Sequence, residues 1–321
     1  MNEILKSLGQ YGLIPVIKID DVNNALPLAK ALCAGGLPVA EITFRTSCAK
    51  EAIEIITREI PNMLVGAGTV LTCEQAEDAI QAGAKFIVSP GINPKVVKYC
   101  LDRGIPITPG CSSPTDIETA LELGLDVVKF FPAEAAGGLD MIKAMSAPYG
   151  GVKFIPTGGI NEKNLLTYLK FDKVLACGGS FMVKDEYIKN GEFDKITELT
   201  KEAVSLMYGF ELLHIGVNTQ NEAECKIYAN LLGTMFNFKQ RETSGAIFSG
   251  EYFEIMKKPF LGTHGHIAIS TNTIERAVPH FERMGIKFDQ DNIKYDDKGK
   301  LTTAYFAGEY FGFAMHLIQK K

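Results

Sequence analysis

A chain of 321 residues, 46% of them hydrophobic, carries enough apolar material for one large packed domain and a smaller one. Its formal net charge of −5, with no long basic run, argues against nucleic acid and anionic membranes as partners. Residues 1–6 lack a basic stretch leading into a long apolar one, and no later apolar run is long enough to span a bilayer, so a soluble, cytoplasmic protein is expected. The seven cysteines (Cys33, Cys48, Cys73, Cys100, Cys111, Cys177, Cys225) are scattered and form no C-x-x-C pair, which fits reduced, mostly buried residues rather than a disulfide framework or metal ligands.

In chain order, short apolar runs at 13–17, 39–43, 64–67, 86–89, 105–108, 126–130, 154–157 and 174–177 read as strands, and the segments between them carry helix-type spacing, as in 49–56. Eight strands alternating with helices over about 200 residues match the count and size of an α/β (β/α)8 TIM barrel; an open doubly wound sheet is the alternative. In a barrel, chemistry gathers where the C-terminal ends of the strands converge on one rim. The unusual residues fall there: Glu41 and Arg45 after the second run, Gly66-Ala67-Gly68-Thr69 at the third, Ser89-Pro90-Gly91 at the fourth, Thr157-Gly158-Gly159 at the seventh and Cys177-Gly178-Gly179-Ser180 at the eighth.

The sixth run, Asp126-Val127-Val128-Lys129-Phe130-Phe131-Pro132-Ala133-Glu134, places one lysine inside an apolar stretch too short for a helix, and no acidic residue within the stretch pairs with it. Burying an ammonium without a partner is costly, and an amine relieved of its proton is a nucleophile towards carbonyls, so Lys129 is a Schiff-base candidate. The competing reading lays the lysine stem along apolar surface with its head in water. Glu41 and Arg45 stand four apart, the spacing of a surface helix ion pair, but the preceding Gly35-Gly36-Leu37-Pro38 reads as a turn entering a strand. At a strand end the glutamate can move the protons of imine chemistry and the arginine can grip a carboxylate. Gly158-Gly159 and Gly179-Ser180 let backbone N–H groups approach a phosphate, although glycines also make ordinary turns at such positions.

Taken together, Val39-Ala40-Glu41-Ile42-Thr43-Phe44-Arg45-Thr46, Val65-Gly66-Ala67-Gly68-Thr69-Val70, Val88-Ser89-Pro90-Gly91, Val128-Lys129-Phe130-Phe131-Pro132-Ala133-Glu134, Pro156-Thr157-Gly158-Gly159-Ile160 and Gly178-Gly179-Ser180 resemble the motif set of the 2-keto-3-deoxy-6-phosphogluconate / 4-hydroxy-2-oxoglutarate aldolase family. The resemblance spans roughly the first two thirds of the chain, in order, with Phe181 departing from the family's usual tryptophan. It implies Lys129 as Schiff-base lysine, Glu41 as acid/base, and Arg45 with Thr69 as the pyruvate-carboxylate grip. It further implies Thr157, Gly158, Gly159, Gly179 and Ser180 around a distal phosphate, with Pro90 and Phe131 as pocket walls. The implied reaction is class I aldol cleavage of 2-keto-3-deoxy-6-phosphogluconate to pyruvate and glyceraldehyde 3-phosphate, or of 4-hydroxy-2-oxoglutarate to pyruvate and glyoxylate. No cofactor is implied, because the protonated imine is the electron sink, and the family implies a homotrimer. A phosphosugar isomerase or decarboxylase would use the same barrel and leave the lysine without a task. A non-catalytic metabolite-binding protein on this scaffold would be free to lose that lysine first.

A helical stretch at 194–208 ends the barrel portion, 1–208, and residues 209–321 contain an internal repeat. His214-Ile215-Gly216-Val217, Gly233 and Phe236 recur at an offset of 52 as His266-Ile267-Ala268-Ile269, Gly285 and Phe288. Each half reads strand, helix, then further strands such as 252–256 and 310–317. This resembles the paired βαβββ modules of the vicinal-oxygen-chelate, or glyoxalase-like, superfamily. The resemblance implies a divalent metal held from the first and last strands of each module, here His214, Glu254, His266 and His316. Three imidazoles and a carboxylate suit Zn, Ni, Fe or Mn; the alternative is structural strand histidines in a binding or assembly module without metal.

Overall fold

The computed structural model describes residues 1–321. The chain divides into two compact units, 1–207 and 208–321. The division falls one residue before the expected boundary, because the Tyr208 carbonyl accepts from Thr271 Oγ1 and the Asn272 N–H, both at 2.7 Å, in the second unit.

In the first unit, β1 (Leu13–Ile17), β2 (Val39–Thr43), β3 (Leu64–Gly68), β4 (Ile87–Ser89), β5 (Ile107–Pro109) and β8 (Cys177–Gly179) form a parallel sheet in the order β5-β4-β3-β2-β1-β8. The remaining strands, β6 (Val127–Phe130) and β7 (Lys153–Pro156), pair with each other. Single bridges, Gly110 to Lys129 and Thr157 to Gly178, join this pair to β5 and β8 and complete the ring of the expected (β/α)8 barrel. Every residue of β2 and β6 is buried, as parallel strands covered on both faces must be. The outer helices bury one stripe: Ala49–Glu59 buries Ala49, Ala52, Ile53 and Ile56, and Pro114–Glu122 opens on a Ser113/Asp116 capping box with proline in its first turn.

Two barrel strands, β5 and β8, start two or more residues later than their apolar runs. Pairing of β8 with β1 begins at Leu13 opposite Cys177, while Val174 makes only a single bridge to Phe154. Before β5, the Ile105 N–H is spent on Cys100 of the preceding helix and Pro106 has none to give.

The second unit is one sheet of eight strands: β9 (Glu211–Val217), β10 (Gln240–Glu242), β11 (Ala246–Ser249), β12 (Phe253–Met256), β13 (Gly265–Thr271), β14 (Phe288–Tyr295), β15 (Leu301–Tyr310) and β16 (Phe313–Gln319). Their order is β10-β11-β12-β9-β13-β16-β15-β14. Each half is βαβββ with its first strand parallel to its last, β9 to β12 and β13 to β16, and the halves meet where β9 runs antiparallel to β13. The helices differ in length, Glu222–Phe236 against Ile274–Arg283, so Gly233 lies inside the first whereas its counterpart Gly285 follows the second at φ 82°. The strand expected at 310–317 is split by Phe311 (φ 56°) and Gly312 (φ 79°), two left-handed residues that turn β15 into β16. No helix is long and apolar enough to cross a membrane.

Candidate functional site

Residues at the C-terminal ends of the barrel strands enclose a cavity of about 290 Å³. Glu41, Arg45, Thr69, Pro90, Lys129, Phe131, Thr157, Gly158, Gly159, Gly179 and Ser180 all line it, together with Val16, Ile160 and Gly178. Ile160 and Gly178 lie within the motifs that carry the resemblance without a role of their own, and Val16 is an ordinary strand residue with no chemical signal in the sequence.

The cavity centres on Lys129. Its run holds no partner, but β2 supplies one from the other side of the barrel lumen: Nζ lies 3.4 Å from Glu41 Oε1, across 88 residues of sequence. Both side chains are almost wholly buried, 7% and 4% exposed, so the pair meets away from bulk water. Phe131 places its ring centre 5.2 Å from the same nitrogen. Space for the glutamate comes from Gly68 on β3, where a Cβ would lie 2.1 Å from Glu41 Oε1. The next residue, Thr69, adopts φ 57°, a conformation β-branched residues rarely take and one that clusters at binding sites.

Also lining the cavity, Gly158 (φ 99°) and Gly159 (φ 84°) form a turn that L side chains resist. The Glu134 N–H donates to the Gly158 carbonyl at 3.1 Å, and the buried Tyr168 hydroxyl donates to the Glu134 carboxylate, which braces this turn. Burial and that carboxylate push the Tyr168 hydroxyl well above its usual range, so it remains a donor. Thr157 lines the cavity, and its Oγ1 is buried with no hydrogen-bond partner in the protein.

The family model for KDPG and KHG aldolases matches residues 3–199. The chain belongs to the KDPG and KHG aldolase family. The 2-dehydro-3-deoxy-phosphogluconate aldolase of Treponema pallidum (strain Nichols) is 50% identical over 207 residues, covering 64% of this chain and 99% of that protein. The KHG/KDPG aldolase of Escherichia coli (strain K12) is 43% identical over 192 residues, covering 60% and 90%. A crystal structure of KDPG aldolase from Legionella pneumophila, with pyruvate captured as a covalent carbinolamine intermediate, is 43% identical with a TM-score of 0.60, covering 62% of this chain and 97% of that one. The barrel is a class I aldolase, a carbon–carbon lyase.

The second unit of this aldolase lies outside the matched segment and gathers its own cluster. His214 Nε2, Glu254 Oε2 and His266 Nε2 form a near-equilateral triangle, with edges of 3.2 Å between the imidazoles and 3.1 Å from each to the carboxylate. The sheet register explains the convergence. Gly216 lies opposite both Glu254 and His266, and a Cβ on it would sit 2.1 Å from the His266 ring. Burial alone would raise the Glu254 carboxyl, but hydrogen bonds from His214 and His266 hold it down to about 2. The fourth expected residue, His316, stands beside the triangle rather than in it. Its ring is 5.2 Å from that of His266 and stacks on Tyr305 at 4.2 Å, the residue opposite it on β15.

Proposed function

We propose that the barrel cleaves 2-keto-3-deoxy-6-phosphogluconate to pyruvate and glyceraldehyde 3-phosphate, and 4-hydroxy-2-oxoglutarate to pyruvate and glyoxylate, through a Schiff base on Lys129. The observation that carries this reading is the Lys129 Nζ to Glu41 Oε1 contact of 3.4 Å between two buried side chains that line the cavity. Lys129 adds to the C2 ketone, and Glu41 protonates the carbinolamine hydroxyl so that water leaves and an iminium remains. Loss of the C4 hydroxyl proton to Glu41 then breaks the C3–C4 bond, its electron pair passing into the iminium to give an enamine. The aldehyde departs, C3 takes a proton, and water returns Lys129 with pyruvate. Arg45 and Thr69 hold the C1 carboxylate at one end. The Gly158-Gly159 turn, Thr157, Gly179 and Ser180 receive the distal phosphate at the other. The test is deuterium exchange into the pyruvate methyl group, which this cycle run backwards from pyruvate requires and which loss of Lys129 removes.

The same reading has the chain working as a homotrimer in the cytoplasm, a compartment consistent with scattered cysteines that form no C-x-x-C pair.

For residues 208–321 we propose a glyoxalase-like module with a divalent-cation site at His214, Glu254 and His266. Its paired βαβββ halves and the donor triangle support this. Each imidazole offers one Nε2 position, so no placement of protons puts a hydrogen bond on all three edges, and one edge always opposes like groups. One cation satisfies all three donors, and edges of 3.1 to 3.2 Å suit ligands about 2.0 to 2.2 Å from a single ion. When bound, the ion would supply Lewis acidity to an oxygen-bearing ligand. His316, pushed down to about 3 by burial and by the neighbouring imidazoles, stays neutral beside it.

A further inference from the structure

The cluster in the second unit occupies the middle of a longer row. Residues directly opposite on neighbouring strands share a face. Across the sheet, Arg241 on β10 faces Phe248 on β11, which faces Glu254 on β12. The contacts follow this register: the Arg241 guanidinium carbon sits 4.3 Å from the centre of the Phe248 ring, and that ring packs edge-on against His214 at 5.8 Å. One phenyl ring therefore separates a guanidinium from the donor triangle. Arg241 is exposed, and its neighbour Glu242 is engaged by Lys257 at 2.6 Å, so the guanidinium keeps its donors for something else. On the far flank, the exposed Lys294 lies opposite Thr303, two residues from Tyr305 on the same face. Two further carboxylates on this face are engaged elsewhere: Glu309 is taken up by the Thr263 N–H and hydroxyl at 3.0 and 2.9 Å, and Glu211, opposite Ser270, pairs with Lys320 at 2.9 Å. Cations stand at both ends, Glu254 is the acid left at the centre, and the triangle remains open to solvent, with His214 12% and Glu254 17% exposed. Such a face favours an anion.

We propose that this sheet face binds a small α,ω-dicarboxylate, one carboxylate forked onto Arg241, the other at the His214–Glu254–His266 cluster, and the carbon chain between them lying on Phe248. The ligand needs two anionic ends and an apolar middle, because the floor between the two polar groups is an aromatic ring; a guanidinium fork matches a planar carboxylate. The proposal rests on the reading of the triangle as a cation site.

The test uses the full chain with its barrel blocked by borohydride reduction of pyruvate onto the protein, loaded with Mn2+ and titrated calorimetrically with glutarate, which has no carbonyl for a lysine to attack. One glutarate per chain is expected, with Arg241→Gln weakening it at least about tenfold for the loss of charged hydrogen bonds. Arg241→Lys should fall between, since lysine keeps the charge and loses the fork, and butyrate should bind far more weakly. Equal affinity in wild type and Arg241→Gln, or butyrate or inorganic phosphate matching glutarate, would overturn the proposal. Mn2+ binding is read separately by electron paramagnetic resonance. No bound Mn2+ removes the cation site and the proposal with it, whereas bound Mn2+ with glutarate binding indifferent to Arg241 removes the dicarboxylate anchor alone.

Discussion

Glu41 can reach Lys129 only because residue 68 is a glycine: a methyl on Gly68 would lie 2.1 Å from Glu41 Oε1 and 2.6 Å from its Cγ. Gly68→Ala should therefore displace the carboxylate while leaving the barrel folded, and lower kcat by about 100-fold or more, the usual contribution of a positioned acid–base group. Gly150→Ala, where a Cβ meets nothing within 4 Å, is the matched control and should be near neutral. Steady-state kinetics of the two variants, with circular dichroism to verify folding, makes the comparison. Unchanged kcat in Gly68→Ala would remove Glu41 from proton transfer.

Ser180 lines the same cavity as the Gly158-Gly159 turn. Ser180→Ala should raise KM for the phosphorylated substrate by the equivalent of about 1 to 3 kcal/mol, one hydrogen bond to a charged group. Exchange of the pyruvate methyl protons should change little, since pyruvate has no phosphate. Equal losses on phosphorylated and unphosphorylated substrates would place the phosphate elsewhere.

The rim residues were legible in the sequence because a parallel barrel repeats one rule eight times: apolar strand, then whatever chemistry its C-terminal end carries. Lys129 stood out as a charge inside such a strand. Glu41 stood out too, as a strand-end acid for imine chemistry, but its direct contact with Lys129 did not, since it lies 88 residues away and reaches across the lumen, a meeting that depends on barrel closure and not on local pattern. The space that Gly68 leaves and the brace from Tyr168 through Glu134 to the Gly158 turn were hidden for the same reason. In the second unit the offset of 52 located His214 and His266 on equivalent strands. It could not relate Glu254 to His316, which lie 62 residues apart although the register sets them opposite the equivalent positions Gly216 and Ala268, because β14 and β15 are longer than β10 and β11.

The two units should respond differently to chelation. EDTA should remove about one divalent ion per chain, one site per donor triangle, while aldol cleavage continues unchanged because the barrel's electron sink is an iminium. Elemental analysis before and after dialysis, alongside the aldolase assay, reads both. No ion in protein prepared with Zn2+ or Mn2+ present would remove the cation site, and aldolase activity lost on chelation would contradict the Schiff-base route.

His280, on the helix Ile274–Arg283, is pushed down to about 4 by burial and by the Arg283 charge. Its neutral form is the one that fits the fold, so its contribution to stability is fully present above the unfolded value of 6.5 and is lost as pH falls from there through about 4. Hydrogen exchange of peptides from residues 208–321 should show weakening protection over that window, and His280→Asn should flatten the dependence. A window unchanged in the variant would assign the effect to another group.

The account as a whole stands on one bond between substrate carbon and Lys129. Incubation with pyruvate and sodium borohydride, followed by proteolysis and mass mapping, should place a single reduced pyruvate adduct on Lys129, and Lys129→Ala should lose the adduct and turnover together while remaining folded. An adduct on any other lysine, or full aldolase activity in Lys129→Ala, would contradict it.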